Sequence, residues 1–238
     1  IIASQIRIHP MALINFDKLE DKKLKKTIET LTVGFSDKKE FYIEKLAEGI
    51  AQIAAAFYPK QVIVRFSDFK TNEYRALLGG IYFEPEEENP MLGWRGASRY
   101  AHPNFVDAFL LECEAVKRVR EKWGLSNLQT MIPFCRTPEE GKKVLETMAR
   151  GGLKQGENDL RVYVMCEIPT NVLRADEFLD IFDGFSIGSN DLAQLTLGLD
   201  RDSSIVAGIS NENDPSVRAL VRDAIRACKR RGKYIGFC

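Results

Sequence analysis

The sequence predicts an α/β fold of the (β/α)8, TIM-type barrel kind, truncated at both ends, and three observations carry that prediction. Short hydrophobic runs alternate with amphipathic stretches, the βα repetition of a parallel sheet. Four runs stop at a charged or reactive group: Val62-Ile-Val-Arg65-Phe-Ser-Asp68, Val164-Met-Cys-Glu167-Ile-Pro169, Gly184-Phe-Ser-Ile-Gly-Ser-Asn190-Asp191 and Lys233-Tyr-Ile-Gly-Phe-Cys238. In a parallel barrel the strand ends share one face, and that face carries the chemistry. Finally, 238 residues suit one barrel-sized domain or two small ones, but five clear strands fall short of eight.

Taken in order, residues 18–32 and 38–57 read as amphipathic helices, with Phe41, Leu46, Ile50, Ile53 and Phe57 giving the second its apolar face. Tyr58-Pro59 ends it, because the residue before a proline is pushed out of the helical region. Val62 to Phe66 is a buried strand, and residues 67–91 form a long polar loop with Gly79-Gly80 and Glu84-Pro-Glu-Glu-Glu88. Residues 103–123 are helical, with Phe105, Phe109, Cys113, Val116 and Trp123 roughly on one side. Leu128 to Phe134 is a strand, and Thr137-Pro-Glu-Glu140 opens a helix as a capping box with proline at its first position. That helix ends at Gly151-Gly152. Leu160 to Cys166 is a strand, Asn171 to Phe182 a helix and Phe185 to Ile187 a strand. Asp214-Pro215 caps the last helix, and a strand ending at Cys238 follows. Two further strands are expected near Ile1–Ile8 and Met91–Trp94. No Gly-x-Gly-x-x-Gly opens a helix and no Walker loop is present, which argues against a nucleotide-binding wound sheet.

Lys+Arg and Asp+Glu number 34 each, so the formal net charge is zero and neither nucleic acid nor an anionic membrane is an expected partner. A small anion needs only two or three arginines and stays open. The run Lys22-Lys-Leu-Lys-Lys26 reads as a solvated helix face. Five cysteines (113, 135, 166, 228 and 238), with no C-x-x-C pair, argue against a disulfide framework or a zinc site and for a cytoplasmic, reducing location. No apolar run reaches membrane-spanning length, and Ile1-Ile-Ala-Ser lacks the character of a signal peptide. With no initiating Met, residues 1–238 read as a single, incomplete domain of a longer protein.

Glu167 and Asp191, at neighbouring strand ends, form a pair that can hold Mg²⁺ or Mn²⁺. Equally, Asp191 or Asn190 can simply cap the helix that begins near Leu192. Arg65, Arg95 and Arg201 can bind carboxylate or phosphate, or can each pair with an acidic neighbour such as Asp68 or Asp200. Gly188, Ser189 and Asn190 can offer backbone N–H groups to an anion, or make an ordinary strand-to-helix turn. Cys238 can act as acid or base only if its thiol is exposed. His9 and His102, in His-Pro dipeptides, read as structural or surface residues.

These segments together resemble the C-terminal, substrate-binding barrel of the PEP-utilising enzymes. The residues that carry the likeness are Val62–Tyr74, Glu88–Tyr100, Met131-Ile-Pro-Phe134, Met165-Cys-Glu-Ile-Pro169, Gly184–Leu192, Leu197–Ser203 and Tyr234-Ile-Gly-Phe-Cys238. They span nearly the whole chain in order. Ser-Asp-Phe-Lys-Thr-Asn-Glu and Gly-Ser-Asn-Asp favour the phosphoenolpyruvate synthase (pyruvate, water dikinase) branch over the pyruvate, phosphate dikinase and enzyme I branches, where Gly-Thr-Asn-Asp is usual.

The resemblance implies a gluconeogenic reaction of ATP, pyruvate and water to AMP, PEP and phosphate, through a phosphohistidine on a mobile domain. It implies that Arg65 and Arg95 bind substrate phosphate or carboxylate with help from Arg201, and that Glu167 and Asp191 ligate Mg²⁺. It further implies that Gly188, Ser189, Asn190 and Asp191 line the substrate and that Cys238 is the acid/base at the pyruvate methyl carbon. Expected partners are pyruvate or PEP and the phosphohistidine domain of the same parent chain, and the family's habit of dimerising through this barrel allows a homodimer. The chain departs from the family in lacking the Gly-Gly-x-Thr-x-His-type motif and the ATP-grasp domain, so the fragment alone should not run the overall reaction. A non-catalytic PEP/pyruvate-binding module is the remaining alternative.

Overall fold

Five parallel strands form one sheet in the computed structural model, which describes residues 1–209 and 211–238. They are β1 (Val62–Arg65), β2 (Leu128–Ile132), β3 (Val162–Cys166), β4 (Gly184–Ile187) and β5 (Tyr234–Phe237), neighbours in space in the same order as in sequence. Register is tight: Arg65 lies opposite Met131, Ile132 opposite Val164, Cys166 opposite Ile187, and Ile187 opposite Phe237. Every strand therefore ends at one edge of the sheet. The three inner strands are buried throughout, whereas β1 and β5 are partly exposed.

The helices are α1 (Pro10–Ile14), α2 (Lys22–Leu31), α3 (Lys38–Phe57), α4 (Thr71–Ala76), α5 (Ala97–Tyr100), α6 (Val106–Lys117), α7 (Pro138–Arg150), α8 (Pro169–Leu173), α9 (Ala175–Ile181), α10 (Ser189–Leu197) and α11 (Pro215–Arg230). Asp21 caps α2 by accepting from Lys23 and Leu24 N–H, and Leu24 and Ile28 face the core while the lysines face water. In α3 the core face is Phe41, Tyr42, Leu46, Ile50 and Ala54; Ile53 and Phe57 lie on the outer side, more than half exposed. Thr137 caps α7 through Glu140 N–H, as its sequence foretold, but the Glu140 carboxylate returns to Arg136 N–H rather than to the cap residue. No helix among the described residues is long and apolar enough to cross a membrane.

The α/β class and parallel order stand, with five strands among the described residues, short of the eight that close a ring. Residues 2–6 coil into a single π-helical turn that buries Ile2 and Ile6, four apart, on one side. Ile8 reaches only an isolated bridge to Leu78, and residues 91–94 are a turn. Residues 67–91, expected as a loop, contain α4 and a 3-10 turn at Gly80–Tyr82. The helix expected over 171–182 is two, α8 and α9, broken at Arg174.

Candidate functional site

Because the strands are parallel and in register, each delivers one residue of interest to the same edge: Arg65 from β1, Phe134 just past β2, Glu167 past β3, Gly188–Asp191 past β4 and Cys238 past β5. Arg95 and Arg201 reach the cluster from loops before α5 and after α10.

Arg95 is the hub. Its Nε donates to Asp68 Oδ1 at 3.1 Å and its NH2 to Asp68 Oδ2 at 2.6 Å, a two-pronged clamp, while NH1 reaches Asp191 Oδ1 at 3.2 Å and Met91 Sδ at 3.2 Å. The guanidinium centre stands 4.0 Å from the centre of the Phe134 ring. Burial works against the Arg95 charge, but the Asp68 hydrogen bonds and the charges of Asp68, Asp191 and Glu167 outweigh it and hold the proton more firmly than usual. Arg201 NH1 donates to the other Asp191 oxygen at 3.1 Å. Asp68 therefore serves Arg95, not Arg65, and Arg201 takes Asp191, not Asp200.

Glu167 is 1% exposed and, among the described residues, accepts only the Phe134 backbone N–H, at 2.7 Å on Oε1. Burial, reinforced by the negative charges of Asp68 and Asp191, pushes its carboxyl up to about 8, against the opposing pull of the Phe134 N–H and of Arg65. No donor among the described residues reaches Oε2. Gly188 is needed beside it: a Cβ there would lie 2.7 Å from Glu167 Oε2 and 2.9 Å from its Cβ.

Asp191 is the third residue of α10 and is buried; its side chain serves Arg95 and Arg201 instead of capping the helix, whose N-cap is Gly188. Ser189 is buried and Asn190 exposed. Arg65 is exposed, with no ion-pair partner among the described residues. Cys238 is the one exposed cysteine; its N–H donates to Ile187 O at 3.0 Å and its Sγ stands 3.0 Å from Ser186 Oγ. His9 is buried and structural, and His102 lies at the surface. Thus Arg95, Arg201, Glu167, Asp191 and Gly188 are in mutual contact or linked through one charge cluster, whereas Arg65, Asn190 and Cys238 make no hydrogen bond to it among the described residues.

Several residues escaped the sequence reading. Phe134 sits in the left-handed region at φ 44°, which bulky residues rarely adopt. Its ring also lies 4.8 Å from the Arg136 guanidinium, which donates to the carbonyls of Leu92 and Gly93 in the loop carrying Arg95. Gly96, at φ 57°, allows the approach, since a Cβ there would lie 2.6 Å from that of Phe134. Glu112 on α6 accepts both the backbone N–H and the hydroxyl of Ser67, fixing the turn between Arg65 and Asp68. Pro133-Phe134 at a strand exit was the only signal on offer; the contacts themselves depend on residues far apart in sequence.

Residues 24–238 match the family described as PEP-utilising enzyme, PEP-binding domain. Along its whole length the chain is 60% identical to a phosphoenolpyruvate synthase of Synechocystis sp., 58% to one of Pseudomonas aeruginosa and 56% to one of Escherichia coli K12. It spans 29% of the first of these proteins and 30% of the other two.

Proposed function

Because the chain belongs to the PEP-utilising enzymes through their PEP-binding domain, we propose that it is the substrate-binding and catalytic part of a phosphoenolpyruvate synthase, acting on pyruvate and PEP. The observation that carries this reading is the unbalanced cluster at the strand ends. Three carboxylates, Asp68, Glu167 and Asp191, crowd two arginines, and one of the three is held up to about 8. Such a site, with one Glu167 oxygen that no donor among the described residues reaches, suits a divalent cation with an anionic substrate.

In this reading Arg65 and Arg95 bind the carboxylate or phosphate, and Arg201 assists at the phosphate. Gly188, Ser189, Asn190 and Asp191 line the substrate. Glu167 and Asp191 would hold Mg²⁺ or Mn²⁺: the unclaimed Glu167 Oε2 and the pressure of two aspartates on that carboxyl fit a cation. No cluster of three such ligands exists among the described residues, so such an ion would need water or substrate oxygens as further ligands. When bound, the ion supplies Lewis-acid stabilisation of oxygen charge.

The residues of this chain then act on the proton and the charge. Cys238, whose Sγ stands 3.0 Å from the Ser186 hydroxyl, takes a proton from the pyruvate methyl carbon as the general base. The C–H electrons form the C=C bond and leave the carbonyl oxygen negative, facing Arg65 and Arg95. That oxygen forms a bond to the phosphorus of a phosphohistidine while the P–N bond breaks, giving PEP and a free imidazole. The phosphohistidine and the ATP-grasp unit belong to other parts of a longer parent chain, so the overall gluconeogenic conversion of ATP, pyruvate and water to AMP, PEP and phosphate is the parent's. The five-stranded sheet is read as part of a (β/α)8 barrel in a cytoplasmic enzyme. A dikinase or enzyme I role is disfavoured by three relatives that are all named synthases.

Isothermal titration with PEP, or with oxalate as an enolate mimic, tests the reading. Binding should require Mg²⁺ and be lost in Glu167→Gln. Metal-independent binding, or full affinity in that variant, overturns the metal assignment.

A further inference from the structure

We propose that Phe134 is a positioning residue that couples the carboxylate and arginine halves of this site; the role in ligand binding rests on the function proposed above. Three independent contacts converge on it. Its backbone N–H is the sole hydrogen-bond donor to Glu167 among the described residues, at 2.7 Å. Its ring faces the Arg95 guanidinium at 4.0 Å and that of Arg136 at 4.8 Å. Its backbone is held at φ 44°, and Gly96 packs so close to it that a Cβ at Gly96 would lie 2.6 Å from that of Phe134.

The ring contact differs in kind from the other ties on Arg95. Asp68 and Asp191 occupy N–H groups that an anionic substrate needs, so substrate entry requires those hydrogen bonds to exchange. An aromatic face attracts the cation without consuming a donor. Phe134 therefore fixes the plane of the guanidinium while its partners change. Arg136, which also lies against the ring, completes the device: by donating to Leu92 and Gly93 carbonyls it ties down the loop that carries Arg95. The same residue that aims Arg95 thus also aims Glu167, through side chain and backbone respectively.

The experiment compares Phe134→Leu, which keeps apolar bulk without a ring, with Phe134→Tyr, which keeps the ring. The first readout needs no ligand: the ¹⁵N–¹Hε signal of Arg95 in the 238-residue chain, assigned by its loss in Arg95→Lys. Wild type and Phe134→Tyr should show that signal shifted upfield by the ring current, and Phe134→Leu should not. The second is PEP affinity in Mg²⁺, which should fall about tenfold in Phe134→Leu and be restored in Phe134→Tyr, as expected for loss of a cation–aromatic contact worth one to two kcal/mol. An Arg95 signal unmoved by Phe134→Leu, or wild-type PEP affinity in that variant, overturns the proposal. If wild type itself does not bind PEP, the functional reading fails, and the Arg95 signal alone still decides whether Phe134 orients the guanidinium.

Discussion

Two buried glutamates meet opposite fates. Glu84 lies within the segment between β1 and α5; Arg99 grips both its oxygens at 2.8 and 2.6 Å and His9 Nε2 lies 3.0 Å from one of them. His9 Nδ1 accepts from Met11 N–H, so the Nε2 proton is left to donate to Glu84. The Arg99 guanidinium is itself boxed by Tyr74 and Trp94 at 4.5 and 4.1 Å. Burial pushes Glu84 up, but the hydrogen bonds from Arg99 and His9 outweigh it and hold the carboxyl below its ordinary value. Glu167 is as deeply buried, yet meets one backbone donor and two like charges, and is pushed up to about 8. Charge that is fully answered makes structure; charge that is left unanswered makes a site.

The largest effect expected from that contrast is at Arg99. Arg99→Ala leaves Glu84 buried with only His9, and should cost about 3–5 kcal/mol in chemical denaturation; a loss under about 1 kcal/mol would mean the network is not what anchors the 67–105 segment. Next, Glu167→Gln should lower Mg²⁺-dependent PEP affinity by roughly 100-fold or more while leaving the unfolding midpoint at pH 8 no lower than wild type's. A large loss of stability would put Glu167 in the same class as Glu84.

The third expectation concerns pH. A carboxyl whose value rises from 4.5 to about 8 on folding binds more protons folded than unfolded between those values. Its favourable contribution is complete below 4.5 and is lost as pH climbs toward 8, so the metal-free chain should weaken steadily over that interval. Glu112, raised by burial to about 7, adds the same sign over a narrower interval. Thermal melts from pH 5 to 8 should slope downward in wild type and flatten in Glu167→Gln; a slope unaffected by the substitution would locate the titration elsewhere. The smallest effect belongs to Arg174, whose pairs with Glu139 and Glu177 lie at the surface. Arg174→Ala should leave the melt where it was, because water answers those charges in either state.

How much of this was readable in advance follows from the range of the forces. Strands β1 to β5 were legible because an apolar run ending at a turn is a local signal. The strand-end residues Arg65, Glu167, Asp191 and Cys238 followed from parallel order alone. What stayed hidden depends on partners far away in sequence. Arg95 and Asp68 are 27 residues apart, and Arg95 and Asp191 are 96 apart. Residues 67–91 looked like a loop because α4 is short and polar. Its order comes from tertiary ties, such as Glu87 accepting from Thr71 Oγ1 at 2.9 Å and from Trp94 N–H at 3.0 Å. The expected strands at Ile1–Ile8 and Met91–Trp94 failed for the same reason: β-leaning composition without a neighbouring strand to pair with.

The sequential strand order has a kinetic consequence. Each strand borrows hydrogen bonds only from the unit before it and the unit after it, so the sheet behaves as a short linear array in which the middle is doubly supported and the ends are singly supported. Amide hydrogen exchange should therefore be slowest in β3 and grow faster outward in both directions, reaching β1 and β5 first. The edge strands that carry Arg65 and adjoin Cys238 are the ones that breathe, while the strand that holds Glu167 keeps still.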